Sequence, residues 1–475
     1  MDELVLTAQE IQQLTPEQAW HYNIVPVPVN TAEADFFIDE ESNQSHTAEE
    51  LELILGKSIQ FIPKSRQTIR KWLSTYYRKE QKKQESGGVL QYTSGSDDFL
   101  TRLIVEAQNI RSSDIHLEIY EQKCRVRIRI DGMLVERFII EREHYPSLVN
   151  RIKIMAHMDI SEKRLPQDGR IFFQTSSEKF DIRVSILPTL YGEKIVMRLL
   201  SQNATNISIE KLGFEPDTLT AYLQGTKRKQ GLILISGPTG SGKTTTLYAT
   251  LKLLNEDTRN VLTIEDPVEY TLPGINQVQL KESIGLNFGV TLRTFLRQDP
   301  DVIMVGEIRD EDTANMAIRL AQTGHLVLST IHTNSAWGTV FRLVDMGVPA
   351  FLLAGTLSTS VAQRLVRLLC PECKQKQTFN TEEYPKSFKA PFAVEYHYAS
   401  KGCDSCYYTG YKGRKAIYEV IPIDQEMSEC IKNTIFDVSD QLKERKIKTL
   451  SDNAFNLFAE GATSLDEIYS LLVNF

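Results

Sequence analysis

No run in this sequence approaches the roughly 18 apolar residues that a membrane-crossing helix needs. The start, Met1-Asp-Glu-Leu-Val, has no basic stretch followed by an apolar core. On these absences neither a spanning helix nor a secretory leader is expected, and a cytoplasmic chain that meets membranes only through partners is. The most apolar candidate, 351–362, is short and rich in hydroxyls, which predicts a buried helix. Excess positive charge is missing too: 54 Lys and Arg stand against 62 Asp and Glu, a formal net charge of −8. Without a basic field, no direct nucleic-acid partner is expected. Cysteine is scarce, six in 475 residues, which excludes a disulfide-stapled scaffold. What is plentiful is apolar residue, 41%, enough for several cores in a chain long enough for about three domains.

The strongest single signal is Gly237-Pro238-Thr239-Gly240-Ser241-Gly242-Lys243-Thr244, a Gly-x-x-x-x-Gly-Lys-Thr loop. It stands between an apolar run at 232–235 and a helical pattern in which Leu247, Leu251 and Leu254 share a face. Glycines let backbone N–H groups close around phosphates, and the helix N-terminus favours negative charge. Lys243 is placed to reach the β- and γ-phosphates, and the hydroxyl of Thr244, followed by Thr245, is placed to ligate Mg²⁺. ATP and Mg²⁺ are the expected ligands.

Along the chain, a polar segment at 1–85 has short apolar helical stretches around 51–55 and ends in a charged run at 76–85; it reads as a small partner-docking domain. Ser-Gly stretches at 86–88 and 94–96 read as a linker. Residues 97–205 begin with a helix at 98–108. The segment 124–130 then alternates, with Val126, Ile128 and Ile130 on one face and Arg125, Arg127 and Arg129 on the other, before an Asp131-Gly132 hairpin turn. A helix around 145–158 and strands at 180–186 and 194–200 complete a small arginine-rich α+β domain, PAS-like in outline. Residues 206–229 read as a linker. From 230, strands at 232–236, 261–264, 302–305 and 326–330 alternate with helices, the pattern of a parallel sheet covered on both faces. The fold class is therefore α/β, with a P-loop, RecA-like core at 230–369, a cysteine-bearing excursion at 370–410 and a C-terminal strand and helical region at 411–475.

In open parallel sheets ligands sit beyond the carboxyl ends of the strands. There the sequence places Glu265, Glu307 and His332. Hydrolysing a phosphoanhydride requires a metal ion, an oriented water and fixed cations. Glu307 is favoured for the Mg²⁺ shell and water polarisation and Glu265 as water activator, roles the two can exchange; His325 and His332 are candidate γ-phosphate sensors. Cys370-Pro-Glu-Cys373 and Cys403-Asp-Ser-Cys406 form two knuckles separated by residues 374–402, the spacing of a four-thiolate Zn²⁺ site that folds an excursion. A redox or plain structural role for these cysteines is the alternative. Cys124 and Cys430 read as small buried hydrophobes.

Arg164-Leu-Pro-Gln-Asp-Gly-Arg170, the phosphate loop, Ile264-Glu-Asp-Pro-Val-Glu269, and the stretches 295–310 and 323–334 occur in this order. Together they resemble the bacterial type II secretion and type IV pilus assembly ATPases over roughly 95–475. The resemblance implies a homohexamer that hydrolyses ATP to drive pseudopilus or pilus assembly. It implies a cytoplasmic position at the periphery of the inner membrane, held by the cytoplasmic domain of an assembly-platform protein or by a docking protein. A nucleotide-gated docking scaffold with incidental hydrolysis, and a DNA-uptake pilus ATPase, are the alternatives. Arg170 and Arg183 match the family's nucleotide-contacting arginines best, and they are expected to complete a neighbour's site in the ring. The tetracysteine module marks the assembly or secretion branch, because retraction ATPases of similar sequence lack it. The short N-terminal domain leans toward type II secretion. Ser335 stands where the family commonly has Asp, and residues 1–95 carry little of the likeness.

Overall fold

The computed structural model describes residues 16–28, 35–40, 59–77, 90–91, 99–174, 179–200 and 207–473, with a few isolated positions between 6 and 51. Most of the stretch expected to be helical at 51–55, and the Ser-Gly stretches at 86–88 and 94–96, lie outside the described residues. The chain forms two compact units, Met1–Gly88 and Val89–Phe475. In the first, strands Ile24–Pro26, Phe36–Asp39 and Phe61–Lys64 adjoin in that order. With helix Arg66–Tyr76 they enclose Ile24, Phe36, Ile38, Ile69 and Leu73, all fully buried.

The second unit opens with the arginine-rich domain. Its sheet runs Leu90–Gln91, Met133–Ile140, Cys124–Ile130, Asp114–Ile119, Gly192–Leu200, Lys179–Thr189, Gln167–Gln174, antiparallel apart from the first pair. Period-two alternation sends Ile115, Leu117, Val126, Ile128, Ile182 and Ile186 to one face, into a core shared with helices Phe99–Asn109 and Tyr145–Met155. The other face is charged. In register across it lie Arg170 opposite Arg183, Arg183 opposite Arg198, Arg198 opposite Asp114, and Asp114 opposite Arg129. Glu118 receives Arg125 at 2.9 Å and Arg127 at 2.7 Å. Burial pushes the Glu118 carboxyl up, but the Arg127 and Arg125 guanidiniums outweigh it and hold the group down at about 2. At the far end of the face Arg170 and Arg183 stand side by side, an arrangement that is unfavourable unless an anion joins it.

The ATPase sheet has the order Asn276–Gln279, Val261–Glu265, Val302–Val305, Leu326–Ile331, Gly231–Ser236, Leu357–Leu369, Tyr411–Pro422. The first six strands are parallel and the last is antiparallel to its neighbour. One face buries Leu232, Leu234, Ile264 and Ile303 and the other Ile233, Ile235, Val302 and Leu328, so the sheet is covered on both sides.

Three expectations change here. The stretch 351–362 is not one helix: helix Ala350–Thr356 gives way to strand Leu357–Leu369. The run Ser358-Thr359-Ser360-Val361 is rich in β-branched and hydroxyl side chains, and its two buried serine hydroxyls are satisfied while that of Thr359 has no partner among the described residues. Ser358 Oγ donates to Leu232 O at 3.0 Å and Ser360 Oγ to Ala336 O at 2.7 Å. Of the linker expected at 206–229, the described residues 207–229 are not free, because helix Pro216–Thr226 packs onto the ATPase domain. Tyr222 is fully buried and shares a hydrogen bond with Thr250 at 2.8 Å, while Phe214 stacks on Tyr418 at 3.6 Å. A Cβ on Gly225 would stand 2.3 Å from Thr359 Oγ1, so only glycine permits this approach. Finally, Tyr411–Pro422 completes the ATPase sheet, so the C-terminal region belongs to that fold. Among the described residues no helix is long and apolar enough to cross a membrane.

Candidate nucleotide site and cysteine cluster

Strand Gly231–Ser236 is wholly buried and leaves the sheet at Gly237. That glycine has φ +152°, and a Cβ on it would lie 2.5 Å from Gln363 O, so no other residue fits. Pro238, Thr239 and Gly240 are exposed and Ser241 is buried; Gly242, at φ +90°, turns the chain into helix Lys243–Leu254. Lys243 is buried, Thr244 exposed and Thr245 half-buried. Lys243 Nζ donates to Gly237 O at 2.8 Å and Pro238 O at 3.0 Å. Burial pulls its ammonium down to about 8; Glu307 opposes the fall and Arg364 adds to it.

Glu307 follows strand Val302–Val305 through Gly306, which is pinned by its N–H to Ile264 O at 2.8 Å and by Thr330 Oγ1 donating to its carbonyl at 2.8 Å. The carboxylate pairs with Arg309 and has His332 Nε2 at 3.5 Å. Lys243, Glu307 and His332, read from separate stretches, are thus gathered around one loop. Glu265 is placed differently. Only 3% exposed, it accepts from Thr263 Oγ1 at 2.6 Å, from Gln277 Nε2 at 3.1 Å and from the Tyr248 hydroxyl. Its oxygens are held by protein donors, so the two glutamates stand in different surroundings.

His325 is separated from the site. Its carbonyl accepts from Gly231 N, at the start of the phosphate-loop strand, and six residues of strand Leu326–Ile331 lie between it and His332. At about 3.3 Å per residue, the seven steps between them place the two histidines roughly 23 Å apart, at opposite ends of the strand. His325 Nδ1 lies 2.9 Å from Leu320 O and 3.1 Å from Thr323 Oγ1, local contacts that close the preceding helix. Consecutive motif letters at the two ends of one strand do not share a site.

Arg183 reaches the acidic stretch after Glu265 in its own chain: Nη2 donates to Val268 O at 2.6 Å and Nη1 pairs with Glu269 at 3.1 Å. A cleft of about 490 Å³ lies alongside, lined by Asp168, Arg170, Arg183, Arg198 and Pro267. Ser335, which stands where the family commonly has Asp, accepts from Gly338 N at 3.1 Å through its Oγ. Sequence reasoning missed Gln363 and Arg364. Gln363 Oε1 receives Thr246 Oγ1 at 2.9 Å, and Arg364 abuts Gly237. The available signal was two long polar side chains within a mostly apolar and hydroxyl-bearing strand.

The four paired cysteines meet, with every Sγ within 4.8 Å of the others. Cys370–Cys403 and Cys373–Cys406 are 3.8 Å apart and Cys403–Cys406 3.7 Å. Thiolates at 2.3 Å from a tetrahedral Zn²⁺ would be about 3.8 Å apart, and disulfide sulfurs about 2.05 Å, so the cluster fits the metal. Cys406 Sγ also receives the N–H of Cys403 at 3.2 Å and of Gly410 at 3.3 Å, the outer support such sites use. Tyr407 and Tyr408 follow with φ of +51° and +58°. The Tyr407 ring lies 5.1 Å from the Arg137 guanidinium, and Asp131 accepts from Gly413 N at 2.6 Å. The cysteine knuckle therefore adjoins the hairpin of the arginine-rich domain. Cys124 and Cys430 are buried, as expected.

Fold and site define a P-loop, RecA-like nucleotide-binding protein with an arginine-rich domain ahead of its ATPase core. The family model for type II/IV secretion system proteins matches residues 94–470, and the chain belongs to that family. It is 39% identical to the type IV pilus assembly ATPase PilB of Myxococcus xanthus over 97% of this chain and 86% of that one. It is 44% identical to type II secretion system protein E of Pseudomonas aeruginosa over 78% of this chain and 74% of that one. The first alignment reaches into the N-terminal segment, which the sequence alone left outside the likeness. Among solved structures, the ATPase DotB of Legionella pneumophila superposes with a TM-score of 0.57 at 20% identity, covering 81% of this chain and 99% of that one. The pilus retraction motor PilT with bound ADP gives 0.53 at 24%, covering 78% and 96%. Both share the fold.

Proposed function

We propose that the chain is a homohexameric ATPase that hydrolyses ATP to drive pseudopilus or pilus assembly, working in the cytoplasm at the periphery of the inner membrane. The observation that carries this reading is the convergence of Lys243, Glu307 and His332 on one glycine loop at the carboxyl edge of the parallel sheet. Lys243 holds phosphate charge and Glu307 polarises the water. Glu307 and the Thr244 hydroxyl would hold Mg²⁺, which would neutralise phosphate charge when bound. Glu265, wrapped by Tyr248, Thr263 and Gln277, sets the position of the acidic stretch that receives Arg183. Arg170 and Arg183 supply cations from the arginine-rich domain. Residues 1–85 meet a docking protein or the cytoplasmic domain of the assembly platform. A relative that aligns across nearly the whole chain is a pilus assembly ATPase, which moves the reading away from type II secretion and toward type IV pilus assembly.

Glu307→Gln tests the assignment. The amide keeps the shape but loses the charge, so the variant is expected to bind ATP and to hydrolyse it at least about a hundred-fold more slowly than the parent chain. Phosphate release and nucleotide binding are measured on the same preparation. Loss of binding together with turnover would leave Glu307 a metal residue only.

The four cysteines hold one Zn²⁺ in this reading. Metal analysis is expected to find about one zinc per chain. Chelation should raise hydrogen exchange across 370–410 and spare the phosphate loop, since thiolate zinc contributes about 10–16 kcal/mol in small peptides. Less than about half an equivalent in carefully prepared protein would remove the metal from the account.

A further inference from the structure

Arg364 lies on strand Leu357–Leu369, directly beside the strand that ends in the phosphate loop. Its Nη1 is 3.1 Å from where a Cβ on Gly237 would stand and donates to Gln363 O at 3.0 Å. Nη2 donates to Asn334 O at 3.0 Å and lies 3.5 Å from both Thr333 O and Asn334 Oδ1. One guanidinium therefore spans the first residue of the phosphate loop and the two residues that follow His332.

All of these acceptors are neutral. Among the described residues no carboxylate pairs with Arg364. The acid that acts on it from the neighbouring strand, Glu419, is buried and accepts from Ala336 N at 2.8 Å and Leu450 N at 3.1 Å. Burial pulls Arg364 below its ordinary value, with Glu419 opposing. A part-buried cation without a counter-ion is an unfavourable arrangement unless an anionic ligand completes it. The adjoining loop is shaped for phosphates. Arg309, the other arginine close by in this domain, is already paired with Glu307, and Arg183 comes from the other domain and is paired with Glu269.

We propose that Arg364 is the ATPase domain's own phosphate-facing cation, binding the charge of a nucleoside di- or triphosphate on the loop and holding the turn after His332 against it. The inference rests on the ATPase reading above. It adds a cation from the same domain as the loop, independent of how the arginine-rich domain is placed. The planar fork suits the role, because it keeps its backbone acceptors on one edge while offering the other to phosphate.

The test uses the full chain with Arg364→Gln, Arg364→Lys and, as control, Lys243→Ala. Binding of Mg–ADP and of a non-hydrolysable Mg–ATP analogue is measured by calorimetry at two salt concentrations, with melting of the nucleotide-free protein alongside. Arg364→Gln is expected to melt like the parent, to bind both nucleotides about tenfold or more weakly, and to show a smaller salt dependence. Arg364→Lys should recover part of the affinity. Parent-like affinity in Arg364→Gln overturns the proposal. So does an equal loss in Gln and Lys variants that comes with a lowered melt, which makes Arg364 a structural strap. If Arg364→Gln does not fold, Arg364→Lys decides: a shift in nucleotide affinity with an unchanged melt supports the role, and parent-like affinity overturns it. A Lys243→Ala chain that still hydrolyses ATP like the parent would instead refute the placement of the ATPase site at this loop, on which the inference rests.

Discussion

Lys243→Ala is expected to abolish ATP hydrolysis while leaving the cooperative melt of the nucleotide-free protein in place. The side chain is buried, yet its ammonium makes only two hydrogen bonds, to the loop carbonyls of Gly237 and Pro238. Removing a desolvated cation therefore takes little from the core and takes the phosphate anchor from the site. A second readout is pH. Free Lys243 sits at about 8, chiefly because of burial, and bound phosphate favours the charged form. Above pH 8 binding must take up a proton, so nucleotide affinity falls as pH rises, by up to about tenfold per unit. Below pH 8 this dependence vanishes. Calorimetry in buffers of different ionisation enthalpy should show the proton uptake in the parent chain and none in Lys243→Ala. Parent-like phosphate release from the variant would refute the site.

Arg183→Ala should lower turnover by about a thousand-fold or more while changing nucleotide affinity by much less, the pattern of a cation that acts on the transition state. The sequence led to the expectation that such arginines complete a neighbour's site. Within one chain Arg183 contacts Val268 and Glu269, beside the cleft that also holds Arg170. Mixed hexamers of Lys243→Ala and Arg183→Ala subunits distinguish the two arrangements. With the arginine serving its own chain, neither subunit type has a complete site, and mixing should restore no activity. Recovery in demonstrably mixed rings would show that Arg183 acts across the subunit boundary.

Much of this was legible in the residues because the chemistry is local. A phosphate loop is eight consecutive residues, and its glycines, lysine and threonine act through backbone geometry that those residues set themselves. Alternation in 124–130 determines which face of the strand is apolar, and two Cys-x-x-Cys pairs announce a metal site by spacing. Where a hydroxyl-rich apolar run was read as a helix, packing decided otherwise. Strand Leu357–Leu369 forms because Gly231–Ser236 and Tyr411–Pro422 offer it hydrogen-bonded edges on both sides, and local propensity contains neither neighbour. Helix Pro216–Thr226 likewise docks only because Tyr222 and Gly225 find Thr250 and Thr359 in the folded domain.

The sequence by itself determined the nucleotide loop, the acids at the strand ends, the cysteine cluster and the α/β class, since each rests on residues close in the chain or on simple periodicity. Only the tertiary structure decided which of those residues act together. It separated His325 from His332 by the length of a strand, enclosed Glu265 among protein donors while leaving Glu307 beside Lys243 and His332, and brought Arg364 to Gly237 on a neighbouring strand far away in sequence. The physical reason is that electrostatics and hydrogen bonding act over a few ångströms of space, and distances along the chain do not report them once a sheet has been ordered out of sequence.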